Sequence, residues 1–457
     1  MNRASLLLAA VLAGGGLVAY AVEFPLEFKK LTAAQAVSFP GGWGSIGQIE
    51  SAKPTELKRE PPAVSTNALY GRLDGEEGAP FAFRLDESHG AGKGYDRLIM
   101  DLNNNGDLTD DPVISRDESA PKSSNAGSEY CLFRATELTA KPVGAWRPVV
   151  GAEMSIYNRQ QIGKQSGDRR FYGYLRLFAA WYLEAQIQLD GLKQRLAFRD
   201  GNCNFKLDNR TCATKATTRP GEEATWNLSG RDYVLRDPQN TGQFADRSQK
   251  EMLSGLIYFE AKPYTLSLSG DLKQVRLELF AGPSGRLAVG EQISALVLCR
   301  EVEKDQWEAL TPEVKDGGIL VPTGNYRVAA CELNAKAKDG SVYRLTSSEM
   351  AGKTAKAEAG QTAALECGTP LELRLGVQKS GGGARGLIRS LLGGRSPTEQ
   401  TVLNMSVTVS GRGGEAYTGF FKTIANRPEA YERIAPPSFR AYDPEGKQVG
   451  SGDFEFG

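Results

Sequence analysis

The sequence EAQIQLDGLKQRLAF, residues 184–198, contains two runs in which apolar and polar residues alternate, one on each side of Asp190-Gly191. Alternation of this kind places the apolar side chains on one face of a β-strand. Asp-Gly is among the strongest signals for a two-residue hairpin turn. The stretch therefore predicts a β-hairpin, with Ala185, Ile187 and Leu189 on one face of its first strand.

Short alternating segments recur along the chain and are separated by turns rich in Gly and Pro. They include residues 81–85, 264–268, 275–279 and 371–375. Strands at such spacing are typical of β-sandwich modules. At about 150 residues per domain, 457 residues correspond to roughly three domains. The sequence predicts a mostly β, multidomain chain, in which an N-terminal β-rich domain is followed by two β-sandwich modules.

The composition argues against several classes of function. Lys and Arg total 55, Asp and Glu total 55, and the formal net charge is zero, which argues against a general nucleic-acid binder. His89 is the only histidine, so multi-histidine zinc sites are impossible. Its polar, glycine-rich surroundings indicate a solvated loop histidine. The nucleophile-elbow, metallopeptidase and P-loop motifs are absent, and the sequence favours a non-enzymatic protein.

The N-terminus has the pattern of a signal peptide. Arg3 precedes an apolar stretch from Leu6 to Val18, and Ala19-Tyr20-Ala21 supplies small residues for cleavage. The sequence predicts a signal peptide at residues 1–21 and an exported protein, periplasmic or extracellular; an uncleaved anchor is the alternative. No later segment has the ~20 apolar residues that span a bilayer. Export would permit disulfides among the six cysteines, with Cys203–Cys212 and Cys299–Cys331 as the most local pairs beside free buried thiols.

An internal repeat is the most informative feature. Loop one begins DLNNNGDL at Asp101, loop two begins DGNCNFKL at Asp200, and loop three is DPQNTGQF from Asp237. Each places oxygen-bearing side chains at positions 1, 3 and 5 and an apolar residue at position 8. Each also follows an apolar segment. Loops one and three have glycine at position 6.

This spacing suits a hard divalent cation. Calcium takes six to eight oxygen ligands, and a tight loop directs side chains 1, 3 and 5 inward, where the carbonyl of position 7 joins them. The bland alternative is an Asx-rich turn whose side chains cap their own backbone. The sequence predicts a Ca²⁺ site in loop one, with a weaker candidate in loop two. The loop-one ligands are Asp101, Asn103, Asn105, Asp107, Asp110 and Asp111, and those of loop two are Asp200, Asn202, Asn204 and Asp208.

These loops resemble the calcium loops of EF-hand and dockerin-type proteins over about a dozen residues each. Loop one departs from the pattern at position 12, where Pro112 replaces glutamate, so Asp110 or Asp111 would have to complete the coordination. The flanking segments are strand-like, whereas an EF-hand has helices. The resemblance therefore implies shared chemistry without a shared fold.

Later segments resemble other modules. VPTGNYRV, residues 321–328, resembles the P-x-G-x-Y-x-V hairpin of carboxypeptidase-regulatory-like, transthyretin-type sandwiches, which implies a non-catalytic module. A further Ig-like sandwich is expected at the C-terminus. The expected division is 1–21 signal peptide, 22–262 β-rich domain, 263–375 transthyretin/Ig-like sandwich and 376–457 Ig-like sandwich with a Gly-rich insert at 380–396. The whole chain resembles large exported proteins of planctomycetes and verrucomicrobia.

Taken together, these features predict an exported calcium-binding protein with a structural or binding role at the cell envelope. Its expected partner is a glycan or an envelope protein, without nucleic acid. The alternative is a carbohydrate-binding protein or a glycoside hydrolase that uses paired carboxylates, a chemistry that needs no histidine. The aromatic residues of 171–174 and 181–182 could form a carbohydrate-stacking face, although such residues more often fill the core of a sheet.

Overall fold

The computed structural model describes residues 21–40, 44–73, 81–89, 94–120, 124–125, 128–138, 142–157, 172–208, 211–213, 232–244, 250–303, 306–338, 340–347, 353–380, 402–424, 427–435, 438–442 and 445–453. The expected signal peptide lies outside these residues except for Ala21, and the expected Gly-rich insert lies outside them except for Ser380.

The chain is mostly β, as predicted, and its described residues contain one short helix, α1 (Ala33–Ser38). The strands up to residue 281 are β1 (Ala21–Pro25), β2 (Glu27–Lys30), β3 (Ser45–Glu50), β4 (Leu69–Leu73), β5 (Phe81–Glu87), β6 (Tyr95–Met100), β7 (Ile114–Ser115), β8 (Ser124–Asn125), β9 (Ser128–Glu137), β10 (Val149–Tyr157), β11 (Tyr172–Ala179), β12 (Trp181–Leu189), β13 (Leu192–Arg199), β14 (Thr211–Ala213), β15 (Tyr233–Asp237), β16 (Lys250–Met252), β17 (Leu256–Phe259), β18 (Lys262–Leu268) and β19 (Gln274–Leu279). The later strands are β20 (Ser284–Ala288), β21 (Ile293–Glu303), β22 (Gln306–Leu310), β23 (Gly318–Pro322), β24 (Gly324–Lys336), β25 (Val342–Ser347), β26 (Ala355–Ala357), β27 (Thr362–Ala364), β28 (Glu372–Ser380), β29 (Val402–Ser410), β30 (Ala416–Ile424), β31 (Arg427–Arg433), β32 (Ser438–Tyr442) and β33 (Gln448–Asp453).

The chain divides into two compact units. The first comprises most residues up to Ala281 and the second most residues from Gly282 onward. In the first unit, one sheet has the order β7-β6-β5-β4-β3-β11-β10-β9-β8, another has the order β16-β15-β13-β12-β2, and a third pairs β1 with β19 and β19 with β18. These sheets bury large side chains, among them Phe83, Leu85, Phe133, Trp181 and Phe198. The core of the first unit is therefore built between sheet faces rather than against helices.

The hairpin expected around Asp190-Gly191 forms as predicted. β12 and β13 pair antiparallel with Leu189 opposite Leu192. Asp190 and Gly191 both have positive φ, 49° and 88°, which is the conformation of a two-residue type I′ turn. Ala185 and Ile187 are buried, whereas the intervening Gln186 is exposed. The alternation in the sequence thus matches the two faces of the strand.

In the second unit, β23, β20 and β27 form a small sheet, and a larger one contains β22-β21-β24-β25-β30-β29-β28 in that order. The expected hairpin at residues 321–328 is instead a crossing between sheets, because β23 pairs with β20 while β24 pairs with β21 and β25. The hydroxyl of Tyr326, which is fully buried, donates a 2.6 Å hydrogen bond to the carbonyl of Pro322. That bond fastens the crossing point.

Two pairings bear on the expected domain boundaries. β19 pairs with β1, with Ala21 opposite Glu278, so the first unit continues past the expected boundary at 262/263. β28 crosses the expected boundary at 375/376 and pairs with β29 from Glu372 to Ser380. The β1–β19 pairing joins segments that are far apart in the sequence, which local patterns do not reveal.

The cysteines with described side chains form no disulfide bond and are buried; they stand at positions 131, 203, 299, 331 and 367. The candidate pair Cys299–Cys331 is therefore not formed, because the strand register places Arg327 opposite Cys299 and Leu296 opposite Cys331. The thiol of Cys203 is likewise free, and the side chain of Cys212 lies outside the described part. Among the described residues, no helix has the length and apolar character needed to cross a membrane.

Candidate cation-binding loops

The three repeated loops occupy equivalent places in the first unit, each where a buried strand ends. Loop one (101–111) follows β6, loop two (200–208) follows β13, and loop three (237–244) starts on the last residue of β15. The position-8 side chain of each loop is buried. These three anchors are Leu108, Leu207 and Phe244.

The loops also share one backbone conformation. Positions 4 and 6 have positive φ in every copy, at 60° and 77° in loop one, 59° and 65° in loop two, and 55° and 79° in loop three. In every copy the position-1 carboxylate accepts a hydrogen bond from the backbone N–H of position 6. The three bonds are Gly106 N to Asp101 Oδ2 at 2.8 Å, Phe205 N to Asp200 Oδ2 at 2.9 Å and Gly242 N to Asp237 Oδ2 at 2.5 Å. The sequence repeat is therefore a structural repeat.

Phe205 adopts a backbone conformation that the sequence pattern did not predict. Loop two lacks the glycine of the other copies, yet Phe205 adopts the left-handed conformation that glycine adopts there. A positive φ strains the backbone of an L-residue. The Phe205 ring is buried and packs edge-to-face against Phe81, with ring centroids 5.9 Å apart, and this packing offsets the strain.

Loop one gathers four of its six predicted ligands into one hydrogen-bonded network. Asp101 is buried and accepts from the N–H of Asn105 at 3.0 Å as well as from Gly106. The amide nitrogens of Asn103 and Asn105 both donate to Asp110 Oδ2, at 3.1 and 2.9 Å. These contacts hold Asp110 against the turn formed by positions 1, 3 and 5.

Asp111 lies beside this network. Its Oδ1 accepts a 3.1 Å hydrogen bond from the N–H of Leu102, and its buried Oδ2 has no hydrogen-bond partner among the described residues. Burial, together with the charges of Asp101, Asp110 and Asp107, raises the pKa of Asp111 to about 6 despite the opposing Leu102 hydrogen bond. A carboxyl group in this position is costly to ionise.

Asp107 is the predicted ligand that the structure directs elsewhere. Its Oδ2 forms a 2.9 Å ion pair with Arg59, and its Oδ1 accepts hydrogen bonds from the N–H and hydroxyl of Thr109. The Thr109 hydrogen bonds, aided by the charge of Arg59, lower the pKa of Asp107. In addition, the N–H groups of Lys58 and Arg59 donate to the carbonyl of Gly106, so the segment before β4 clamps this side of the loop.

Loop two is the most deeply buried copy. Asp200 accepts from the N–H groups of Cys203 and Phe205 at 2.7 and 2.9 Å, and burial raises the pKa of its carboxyl to about 7. Asn202 Oδ1 and Asn204 Oδ1 accept from the N–H two residues onward, at 3.1 and 2.9 Å. Asp208 is exposed. This arrangement is that of a self-capping turn.

Among the described residues, no group of three or more His, Cys, Asp or Glu side chains is placed to hold a metal ion. In loop one, positions 3 and 5 are asparagines, and asparagine contributes a neutral amide oxygen rather than a carboxylate. A cation there would therefore draw on the amide oxygens of Asn103 and Asn105 together with no more than two of the carboxylates of Asp101, Asp110 and Asp111. Each amide oxygen has two lone pairs, so an oxygen that accepts one N–H retains capacity for a second partner.

The histidine and the aromatic residues that the sequence singled out differ in exposure. His89 is exposed in the turn after β5. Trp181 is fully buried, and Tyr182 stacks on Phe39 with ring centroids 4.8 Å apart, so both serve the core. Tyr172 is 56% exposed, contrary to the expectation that the aromatic run fills the core. Phe171 lies outside the described residues.

Comparisons with known proteins add no relative: no protein-family model, no curated protein and no solved structure matches the chain.

Proposed function

We propose that loop one binds a single Ca²⁺ ion and that this ion braces the N-terminal unit of an exported, non-catalytic β protein. The observation that carries the proposal is the Asp110–Asp111 pair. The amides of Asn103 and Asn105 hold Asp110, and the N–H of Leu102 holds Asp111. An unpartnered carboxylate oxygen within a cluster of like charges is destabilising by itself. A divalent cation turns that repulsion into attraction.

The donor set supports calcium over softer metals. Every candidate ligand is a carboxylate, amide or carbonyl oxygen, and hard cations such as calcium prefer oxygen ligands. The thiols with described side chains are buried elsewhere, and the one histidine is exposed after β5. Calcium also tolerates irregular geometry with six to eight ligands, which suits a loop whose ligands are held by hydrogen bonds to their own backbone.

The position of the loop indicates what the ion would do. Loop one connects β6 to β7 and is clamped through Gly106 to the segment carrying Lys58 and Arg59. Its anchor Leu108 packs in a buried cluster with Leu57 and Ile99. An ion at this place would fasten these irregular segments to the edge of the nine-stranded sheet. The role is structural, and the protein would act at the cell envelope by binding a partner.

Loops two and three are proposed as metal-free copies of the same turn. In loop two the Asp200 side chain already accepts hydrogen bonds from two backbone N–H groups and is buried. Loop three has one carboxylate in its core positions, Asp237. Loops two and three thus keep the turn conformation of loop one but lack the cluster of carboxylates that a cation requires.

Thermal unfolding in EDTA and in millimolar calcium tests the proposal. Calcium at a hundred times its dissociation constant should add about 2.7 kcal/mol to the free energy of unfolding, by mass action on the folded state. Asp110→Asn should abolish this gain while leaving the loop's hydrogen bonds nearly intact. Asp316→Asn is the matched control, because Asp316 is an exposed turn residue with positive φ in the second unit. Equal unfolding temperatures with and without calcium in the unmutated protein would refute the proposal.

A further inference from the structure

The two faces of the β10–β11 hairpin in the first unit differ at the hairpin end, around Tyr157 and Tyr172; the rest of β10 is buried on both faces. Met154, Ile156 and Leu175 point to the core and are fully buried. On the other face, Tyr157 and Tyr172 are 43% and 56% exposed. Successive side chains of a strand point to opposite faces, so the open face continues along the neighbouring strands of the sheet.

Four tyrosines lie on this open face, and we call them the tyrosine face: Tyr130, Tyr157, Tyr172 and Tyr174. Tyr157 lies directly opposite Tyr172, and their rings stack with centroids 6.1 Å apart and planes inclined by 27°. Tyr174 lies 6.4 Å from each of those two rings. Tyr130 faces Ser155 on the next strand. The result is an apolar surface of adjacent rings whose hydroxyls lie among polar neighbours.

Hydrogen-bonding groups surround the rings. Glu153 is buried and forms an ion pair with Arg176 on the facing strand. The hydroxyl of Tyr130 donates a 3.3 Å hydrogen bond to the second oxygen of Glu153. Gln48 lies opposite Tyr174 and is exposed. Glu153 and Arg176 neutralise each other, whereas Glu50, two residues beyond Gln48 on the same face of β3, is exposed and carries a negative charge.

We propose that the tyrosine face binds a neutral polysaccharide. The C–H groups on one side of a pyranose ring carry partial positive charge and stack on the negative face of an aromatic ring, as cations do. Sugar hydroxyls then meet the tyrosine hydroxyls and the exposed Gln48. An anionic chain would gain nothing here, because Arg176 is already neutralised by Glu153.

The same features argue against a protein partner. Interface cores are enriched in aromatic residues, Met and Arg, and Arg176 on this face is already paired with Glu153. On this face, Ile46 is the large exposed aliphatic residue among those described, at 46%, and it lies opposite Arg176, away from the stacked rings. A row of adjacent tyrosines, beside the Glu153–Arg176 ion pair and the exposed Glu50, matches an uncharged, extended sugar chain better.

Affinity electrophoresis of the full chain tests the proposal, in gels containing a soluble β-glucan, xylan or galactomannan, with alginate as the anionic comparison. Each gel is run in calcium and in EDTA, so that sugar binding by the tyrosine face is measured whether or not loop one holds calcium. We expect retardation by at least one neutral polysaccharide. Tyr172→Ala and Tyr157→Ala should each weaken binding by about tenfold, the size of one lost stacking contact, and Tyr172→Phe should retain most of it.

Tyr442→Ala is the matched control, because Tyr442 is 55% exposed on β32 in the second unit. This variant should bind as the unmutated protein does. Retardation by alginate alone, equal effects of the Tyr172 and Tyr442 substitutions, or no retardation in any neutral gel would each overturn the proposal. So would sedimentation showing that the tyrosine face joins two copies of the chain, with Tyr172→Ala monomeric and sugar binding absent.

Discussion

Replacement of Asp111 by asparagine should have opposite effects in the presence and absence of calcium. In the folded protein the pKa of Asp111 is raised from 3.8 to about 6. A carboxyl group whose pKa is higher in the folded state supports folding while it is protonated. That support is complete below about pH 3.8 and is lost as the pH rises through about 6.

The magnitude follows from the size of the pKa change. A rise from 3.8 to about 6 corresponds to about 3 kcal/mol, and partial exposure of the carboxyl reduces this to roughly 1–2 kcal/mol. An asparagine side chain at this position retains an oxygen for the Leu102 N–H and cannot ionise. In EDTA at pH 7.5, Asp111→Asn should therefore raise the free energy of unfolding by roughly 1–2 kcal/mol, with no gain at pH 4.

Calcium should reverse the effect of Asp111→Asn on the free energy of unfolding, because the ionised Asp111 carboxylate then becomes a calcium ligand. In millimolar calcium at pH 7.5, Asp111→Asn should be less stable than the unmutated protein, and calcium affinity should rise with pH between 5 and 7. Urea unfolding followed by tryptophan fluorescence measures all of these conditions. Asp107→Asn is the control within the loop. The pKa of Asp107 is lowered in the folded protein, so its carboxylate stabilises the fold at neutral pH and this stabilisation is lost on acidification. A destabilised Asp111→Asn variant in EDTA at pH 7.5 would refute this reasoning.

Two further predictions concern the framework of the first unit. Gly106 and Gly242 have similar positive φ, but a Cβ on Gly106 would lie 2.5 Å from the carbonyl oxygen of Glu56, whereas the nearest atom at Gly242 is a guanidinium nitrogen at 3.3 Å. Gly106→Ala should therefore cost about 2–3 kcal/mol of stability and Gly242→Ala about 1 kcal/mol; equal losses in urea unfolding would contradict the steric argument. Arg84→Ala should cost about 3–5 kcal/mol, because it leaves the buried carboxylate of Asp86 without its cation, and a loss below about 1 kcal/mol by the same assay would contradict it.

Local sequence patterns predicted the features that depend on neighbouring residues. The alternation around Asp190-Gly191 predicted the hairpin because both strands and the turn lie close together in the sequence. The spacing of the loops predicted three related turns because the position-1 carboxylate bonds to a backbone group only five residues onward.

Features that depend on distant partners were not predictable in this way. Neither β1 nor β19 carries a sign that it pairs with the other across most of the first unit's sequence. The aromatic residue at Tyr172 looks the same in sequence whether it faces the core or solvent, and only its register opposite Tyr157 places it outside. Similarly, the absence of a Cys299–Cys331 disulfide follows from strand register rather than from the spacing of these cysteines along the chain.

A calcium titration of the EDTA-treated full chain by isothermal calorimetry tests the central claim most directly. We expect one saturable site at pH 7.5, which is lost in Asp110→Asn and unchanged in Asp316→Asn. Absence of saturable binding up to millimolar calcium, or binding that survives Asp110→Asn undiminished, would contradict the calcium site in loop one.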